Sequence, residues 1–234
     1  GSSSWSMVSV SGFHTAAIRS DGGLFTWGAN YVGQLGTGDA PATQRSSPVQ
    51  IGSSSWTFVS ARYNTNNNGG HTIAKRYAAN DLWMAGHSIF NNLVDTSSFV
   101  QVGSGYFNND ALTTITGSLY ANMGLTATGT LYMWGVAGDS YGAYGTSAPN
   151  LAIYNYGNYY SSPVQIGTGT WSSVNNSSNN VLAISTSGTL WGWGQNLYGE
   201  LGIGHTVLKA SPVQVGTFTW TAISTQLFKS YGIK

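Results

Sequence analysis

In a chain of 234 residues, 6% are charged, the net charge is +1 and neither sign forms a run. This excludes an electrostatic footprint for nucleic acid or an anionic membrane, and no apolar stretch approaches membrane-spanning length. With no cysteine there are neither disulfide staples nor thiolate metal sites, and the 32 glycines and 13% aromatic residues suit a turn-rich all-β protein.

In chain order, one set of landmarks returns. Trp5 opens a first unit, an apolar run ends at Ile18, and an alternating strand follows as Gly23-Leu24-Phe25-Thr26-Trp27-Gly28. The unit continues through Ala29-Asn30 and Gly33-Gln34-Leu35-Gly36 to Ser47-Pro48-Val49-Gln50-Ile51-Gly52. Trp56 opens a second unit with Ile73, then Leu82-Trp83-Met84-Ala85-Gly86, then Phe99-Val100-Gln101-Val102-Gly103. Its Lys75-Arg76 pair stands where the other units are expected to carry neutral residues. A third unit lacks the opening Trp but has Leu125, Gly129 to Gly135 and Ser162 to Gly167. The fourth runs from Trp171 through Ile184 and Gly188-Thr189-Leu190-Trp191-Gly192-Trp193-Gly194 to Ser211–Gly216, and Trp220 to Ile233 starts a fifth. The units cover about 5–55, 56–103, 104–169, 170–216 and 217–234, and the Pro-Val or Phe-Val valines lie 51, 64 and 49 residues apart. A period near 50 with several short strands per unit is that of a propeller blade, whose apolar faces only neighbouring blades can cover.

The order Trp…Ala-Ile…Gly-x-Leu-x-x-Trp-Gly-x-Asn-x-x-Gly-Gln-Leu-Gly…Ser-Pro-Val-Gln is similar to the regulator-of-chromosome-condensation repeat family. The resemblance implies an all-β β-propeller. It would have about four blades of four antiparallel strands plus the start of a fifth, within a larger, seven-bladed ring. Trp27, Trp134 and Trp193, with Leu24, Leu131 and Leu190, are then expected on equivalent strands, buried between blades. Because residue 1 falls inside a repeat and the fifth unit stops early, the chain is expected to be part of a longer array, joined to a continuation or to further copies.

Residues with chemical potential have plainer readings beside them. His14 and Asn180 stand at the same place in their units, and His71 stands near it with a small offset. There the resemblance implies a structural, hydrogen-bonding histidine. His87 and His205 lack neighbours at metal-ligand spacing, so no metal and no cofactor is expected. Asp21 and Asp81 precede strands, where aspartate forms turns; the other acids are Asp39, Asp95, Asp110, Asp139 and Glu200. Nothing in the sequence points to a catalytic pair, although blades bring distant residues together, and no enzyme is expected. Gly-x-Asn-x-x-Gly-Gln-Leu-Gly lacks the Lys-Ser/Thr ending of a phosphate loop. Asn175-Asn176-Ser177-Ser178 holds two overlapping glycosylation sequons.

The third unit's loop is the long one, 28 positions from Gly135 to Pro163 against 20 and 18 in the first and fourth units. It carries Tyr141, Tyr144, Tyr154, Tyr156, Tyr159 and Tyr160 among Gly, Asn and Ser, a composition suited to recognition. The expectation is a non-enzymatic binding or assembly module that contacts a protein or a glycan. The low-charge, Asn/Ser/Thr/Tyr-rich composition leans towards an extracellular or virion-surface adhesion or structural protein. The family resemblance implies two alternatives, guanine-nucleotide exchange on a small GTPase and secreted enzyme inhibition.

Overall fold

The computed structural model describes residues 4–39, 43–64, 69–77, 81–87, 95–102, 107, 112–117, 121–136, 159–177, 180–226 and 229–234. Among these, the chain forms eighteen strands and no helix, in two compact bodies of residues 1–109 and 110–234. The first body holds two four-stranded antiparallel sheets. Blade 1 is β1 (Trp5–Val10), β2 (His14–Arg19), β3 (Leu24–Gly28) and β4 (Arg45–Gln50). Blade 2 is β5 (Trp56–Asn64), β6 (Gly69–Arg76), β7 (Leu82–Gly86) and β8 (Thr96–Gln101). In the second body, blade 3 is β9 (Leu112–Gly117), β10 (Ala121–Thr126), β11 (Leu131–Val136) and β12 (Tyr159–Gln165). Blade 4 is β13 (Trp171–Asn176), β14 (Asn180–Ser185), β15 (Thr189–Gly194) and β16 (Lys209–Thr219), and a fifth sheet pairs β17 (Ala222–Gln226) with β18 (Lys229–Ile233). In every blade, spatial order equals chain order or its reverse, so each strand pairs with its neighbour in sequence.

The glycine at or next to the end of each third strand has a geometric cause. Gly28, Gly86, Gly135 and Gly194 take φ values of 107°, 104°, 110° and 98°. A Cβ on Gly28 would lie 2.5 Å from the carbonyl oxygen of Phe13. At each of the four positions the ladder to the fourth strand slips, so the glycine is a β-bulge that turns the chain out into the next loop.

Blades join through apolar faces and a repeated backbone bond. The opening Trp N–H donates to the hairpin glycine of the preceding blade: Trp56 to Gly22 at 2.8 Å, Trp171 to Gly129 at 2.8 Å, Trp220 to Gly188 at 2.9 Å. In the first body Ala16, Ile18, Leu24 and Ile51 meet Trp56, Val59, Ala61 and Ala74. In the second, Met123, Leu125, Leu131, Met133 and Ile166 meet Trp171, Val174, Val181, Ala183 and Trp193. Polar stitches link successive first strands: Ala61 N–H to Ser9 Oγ at 2.9 Å, Thr116 Oγ to Asn176 Oδ1 at 2.7 Å, and Thr225 Oγ to Asn175 Oδ1 at 2.7 Å. Both sequon asparagines are thus spent between blades, and Asn176 is buried.

Leu24, Leu131 and Leu190 are buried, and Trp134 and Trp193 are wholly so, as expected. Trp27 departs from the expectation: it is half-buried, with Trp5 at 6.4 Å between ring centroids. The reason shows in its neighbours on that face. Val8 is 56% exposed, whereas Val59 and Val174, which pair with the equivalent alanines of their second strands, are 0% and 4% exposed under a covering blade. Replacing Trp193 by Ala should cost about 3–5 kcal/mol in denaturant unfolding, and Trp27→Ala about half that, in proportion to the area each ring buries.

Candidate functional site

The loop from third to fourth strand stands on a buried polar base. In blade 1, Asn30 Oδ1 accepts the Leu35 N–H at 3.1 Å and the Leu35 carbonyl accepts Thr26 Oγ–H at 2.7 Å, which drives Leu35 into the core. In blade 4, Asn196 Oδ1 accepts the Leu201 N–H at 3.0 Å, and its amide donates to the His205 and Val207 carbonyls at 2.6 and 3.1 Å. The side chains of Gln34 and Glu200 turn back to accept the N–H two residues earlier, Val32 at 3.0 Å and Tyr198 at 2.9 Å. The glycine-rich sentence therefore builds a loop pedestal and leaves no open phosphate cradle. Apolar and aromatic residues stand at the tips: Tyr31 is 42% exposed, Leu197 52% and Tyr198 73%.

The corresponding connection of blade 3 runs from β11 to β12. Tyr141, Tyr144, Tyr154 and Tyr156 lie in it, outside the described residues. Tyr159 and Tyr160 belong to β12, where their backbones pair with Val136 and Gly135. They are strand residues, a correction to the loop assignment. Measuring the loop to Pro163 includes part of this strand, because an edge strand tolerates proline inside it and β12 begins four residues before Pro163.

The histidine position is structural. His14 Nε2 lies 2.9 Å from Thr72 Oγ, and Thr72 Oγ–H donates to the Gln34 carbonyl at 2.7 Å. Thr72 thus accepts the Nε2 proton, and Nδ1 faces Ser11 Oγ at 2.7 Å. The bonded chain ties blade 1, its own loop pedestal and blade 2. His71 shows no offset: it pairs with Gly86 as His14 pairs with Gly28. Lys75, not Ile73, therefore takes the place of Ile18, opposite Leu82, and burial lowers its pKa. Arg76 faces Trp56 as Arg19 faces Trp5, so a cation at that place is not peculiar to the second unit.

Other titratable groups among the described residues serve locally, while Asp110 and Asp139 lie outside them. Asp21 caps the Gly23 N–H at 3.1 Å and pairs with Arg19, Asp39 pairs with Arg45, and His87 Nδ1 lies 2.9 Å from Asp95. His205 Nδ1 accepts the Val207 N–H at 3.2 Å. Among the described residues no three His, Cys, Asp or Glu side chains converge as for a metal ion.

Burial lowers the His14 pKa from 6.5 to about 4. Between those values the unfolded chain holds the extra proton, so stability is complete above pH 6.5 and declines as pH falls towards 4. The loss should be on the order of 3 kcal/mol. His14→Asn, the residue present at Asn180, should flatten that slope in denaturant unfolding measured at a series of pH values.

Repeated four-stranded antiparallel blades, packed face to face within each body, define a β-propeller. Two stretches match a known repeat: residues 21–61 and 187–225 match the Regulator of chromosome condensation (RCC1) repeat. The Arabidopsis thaliana ultraviolet-B receptor UVR8 is 29% identical over 210 residues, covering 86% of this chain and 43% of that protein. Yeast RCC1 (Prp20), solved bound to Kap60, superposes with a TM-score of 0.79 at 17% identity over 100% of this chain and 55% of its own. Human WBSCR16 superposes with a TM-score of 0.71 at 16% identity, over 97% of this chain and 57% of its own. The chain spans about half the length of these relatives.

Proposed function

We propose that this chain is a non-catalytic propeller module that binds a protein partner through its third-to-fourth-strand loops, at a cell or virion surface. The observation that carries the reading is a contrast within one loop. Its Asn and Leu base is locked into the core, while Leu197 and Tyr198 stand 52% and 73% exposed at the tip. The same connection in blade 3 is the longest and carries Tyr141, Tyr144, Tyr154 and Tyr156. Rigid pedestals with aromatic tips suit recognition at low entropic cost. The charge-poor composition supports a surface location. A related yeast structure describes the binding of Prp20p to Gsp1p and histones, which favours a protein over a glycan as partner.

Replacing Leu197 and Tyr198 together with Ser, alone or with Tyr141, Tyr144, Tyr154 and Tyr156, should reduce partner capture at least about tenfold. The thermal midpoint of the Leu197 and Tyr198 variant should shift little, because both side chains are exposed. A collapse of stability with unchanged capture would place the binding surface elsewhere. A second reading, exchange of guanine nucleotide, draws on the RCC1 repeat match. Accelerated release of labelled GDP from a small GTPase would establish it in place of the first.

The exposed blade faces also call for cover. Val8 and Val10 on β1 are 56% and 70% exposed, and Tyr231 and Ile233 on β18 are 56% and 65% exposed. Further blades of the same kind, from a continuation of the chain or a second copy, would cover them as blade 2 covers blade 1. The chain of 234 residues should therefore self-associate in sedimentation velocity, and a monomer at all concentrations would count against this part of the reading.

A further inference from the structure

One place in the repeat is filled by the chain's own cation in three units and left empty in another. Where the second strand ends opposite the opening Trp, blade 1 has Arg19, with its guanidinium carbon 4.9 Å from the Phe25 ring centre. Blade 2 has Arg76, 3.7 Å from the Trp83 ring and 5.2 Å from Trp56. In the fifth unit Lys234 follows Trp220 by fourteen residues, as Arg19 follows Trp5, and its ammonium lies 5.4 Å from Trp220 and 3.6 Å from Phe218. Blade 4 has the aromatic pair but not the cation. Trp171 and Trp191 meet edge to face at 6.1 Å, and Ser185 stands where the arginines stand.

Beside this pair lies a cavity of about 360 Å³, lined by Trp171, Trp191, Thr170, Thr186, Ser187 and Pro212. Its polar wall is already ordered. Trp191 Nε1–H donates to Thr189 Oγ at 3.0 Å, and Ser185 Oγ lies 2.7 Å from Thr189 Oγ and 2.8 Å from Ser187 Oγ. Ser187 takes the place of Asp21, the acceptor that holds the Arg19 guanidinium in blade 1 with Nε–Oδ distances of 2.8 and 2.9 Å. The cavity thus combines an indole face with a row of hydroxyl acceptors.

We propose that this cavity receives the guanidinium of an arginine side chain presented by a partner protein, in place of the internal cation that blades 1 and 2 and the fifth unit supply. A flat cation stacks on Trp191 as Arg76 stacks on Trp83, and its N–H groups meet hydroxyl oxygens in place of a carboxylate. The site sits at the hairpin end of β15, at the opposite end of that strand from the loop proposed above. The two surfaces can therefore fail separately.

The test is titration of the full chain with acetyl-Gly-Arg-Gly-amide and with the same peptide carrying citrulline, the neutral analogue of arginine. Calorimetry and the indole NMR signals of Trp171 and Trp191 report binding. The arginine peptide should bind about tenfold more tightly than the citrulline peptide, the factor a partly desolvated cation–ring contact supplies. Ser185→Arg should fill the cavity from within and abolish the binding, with the thermal midpoint unchanged or raised. Should that variant fold poorly, Trp191→Leu removes the ring but keeps apolar bulk, and must weaken binding at least about fivefold. Equal affinity for the two peptides, or undiminished binding by either variant in its folded state, would overturn the proposal. So would binding of a neutral trisaccharide such as cellotriose at these indoles with the arginine peptide silent. Replacing Leu197 and Tyr198 should leave arginine binding intact even if partner capture is lost.

Discussion

The covering of one blade's apolar face by the opening strand of the next is the constraint on which the structure depends. Burying a valine, leucine or isoleucine contributes about 1.5–3 kcal/mol, and an isolated sheet of four short strands has no second layer to supply that burial. Ile18 and Leu24 obtain it from Trp56, Val59 and Ala61, and Leu125 and Leu131 obtain it from Trp171 and Val174. Val8 shows the converse, since the same position without a covering blade lies open. The bond from each opening Trp N–H to the preceding hairpin glycine sets the register at which this cover is applied.

Given that constraint, most residues with chemical potential are consumed in holding blades and loops. His14, Thr72 and Gln34 form one buried chain of hydrogen bonds, and Asn30 and Asn196 each clamp a leucine beneath a loop. Asn175 and Asn176 stitch first strands together. Buried polar groups of this kind are costly when unpaired, so pairing them fixes each blade's position against the next. The groups proposed for recognition stand on the rim: aromatic loop tips and, at the hairpin end, ring faces beside a cavity.

Differences between repeats then carry the information that the common pattern does not. Lys75 replaces an apolar residue at a buried place, blade 3 has a long connection, and Ser185 breaks a series of cations stacked on aromatic rings. Each departs from what blade 1 carries at the same place, so each shows what the scaffold tolerates without losing its packing. A departure that opens a cavity next to an aromatic pair differs in kind from one that lengthens a loop, because it changes chemistry as well as shape.

The sequence by itself determined the repeat, its period, the blade class and the third-strand leucines, because apolar alternation, glycine punctuation and Trp spacing are local properties of the chain. The structural histidine, implied by the family resemblance, appears in the hydrogen bonds of buried His14. Register across the second unit was not legible. A longer hairpin between β5 and β6 moves His71 into the His14 position and puts Lys75 where Ile73 had been aligned, and only cross-strand pairing reveals this. The start of β12 at Tyr159 was likewise hidden by Pro163. Tertiary structure alone decided that Trp27 is half-covered while Trp193 is sealed, since burial depends on whether another blade lies against that face. It alone revealed the vacancy at Ser185, because a stacked cation and an empty cavity differ only in what approaches a ring through space.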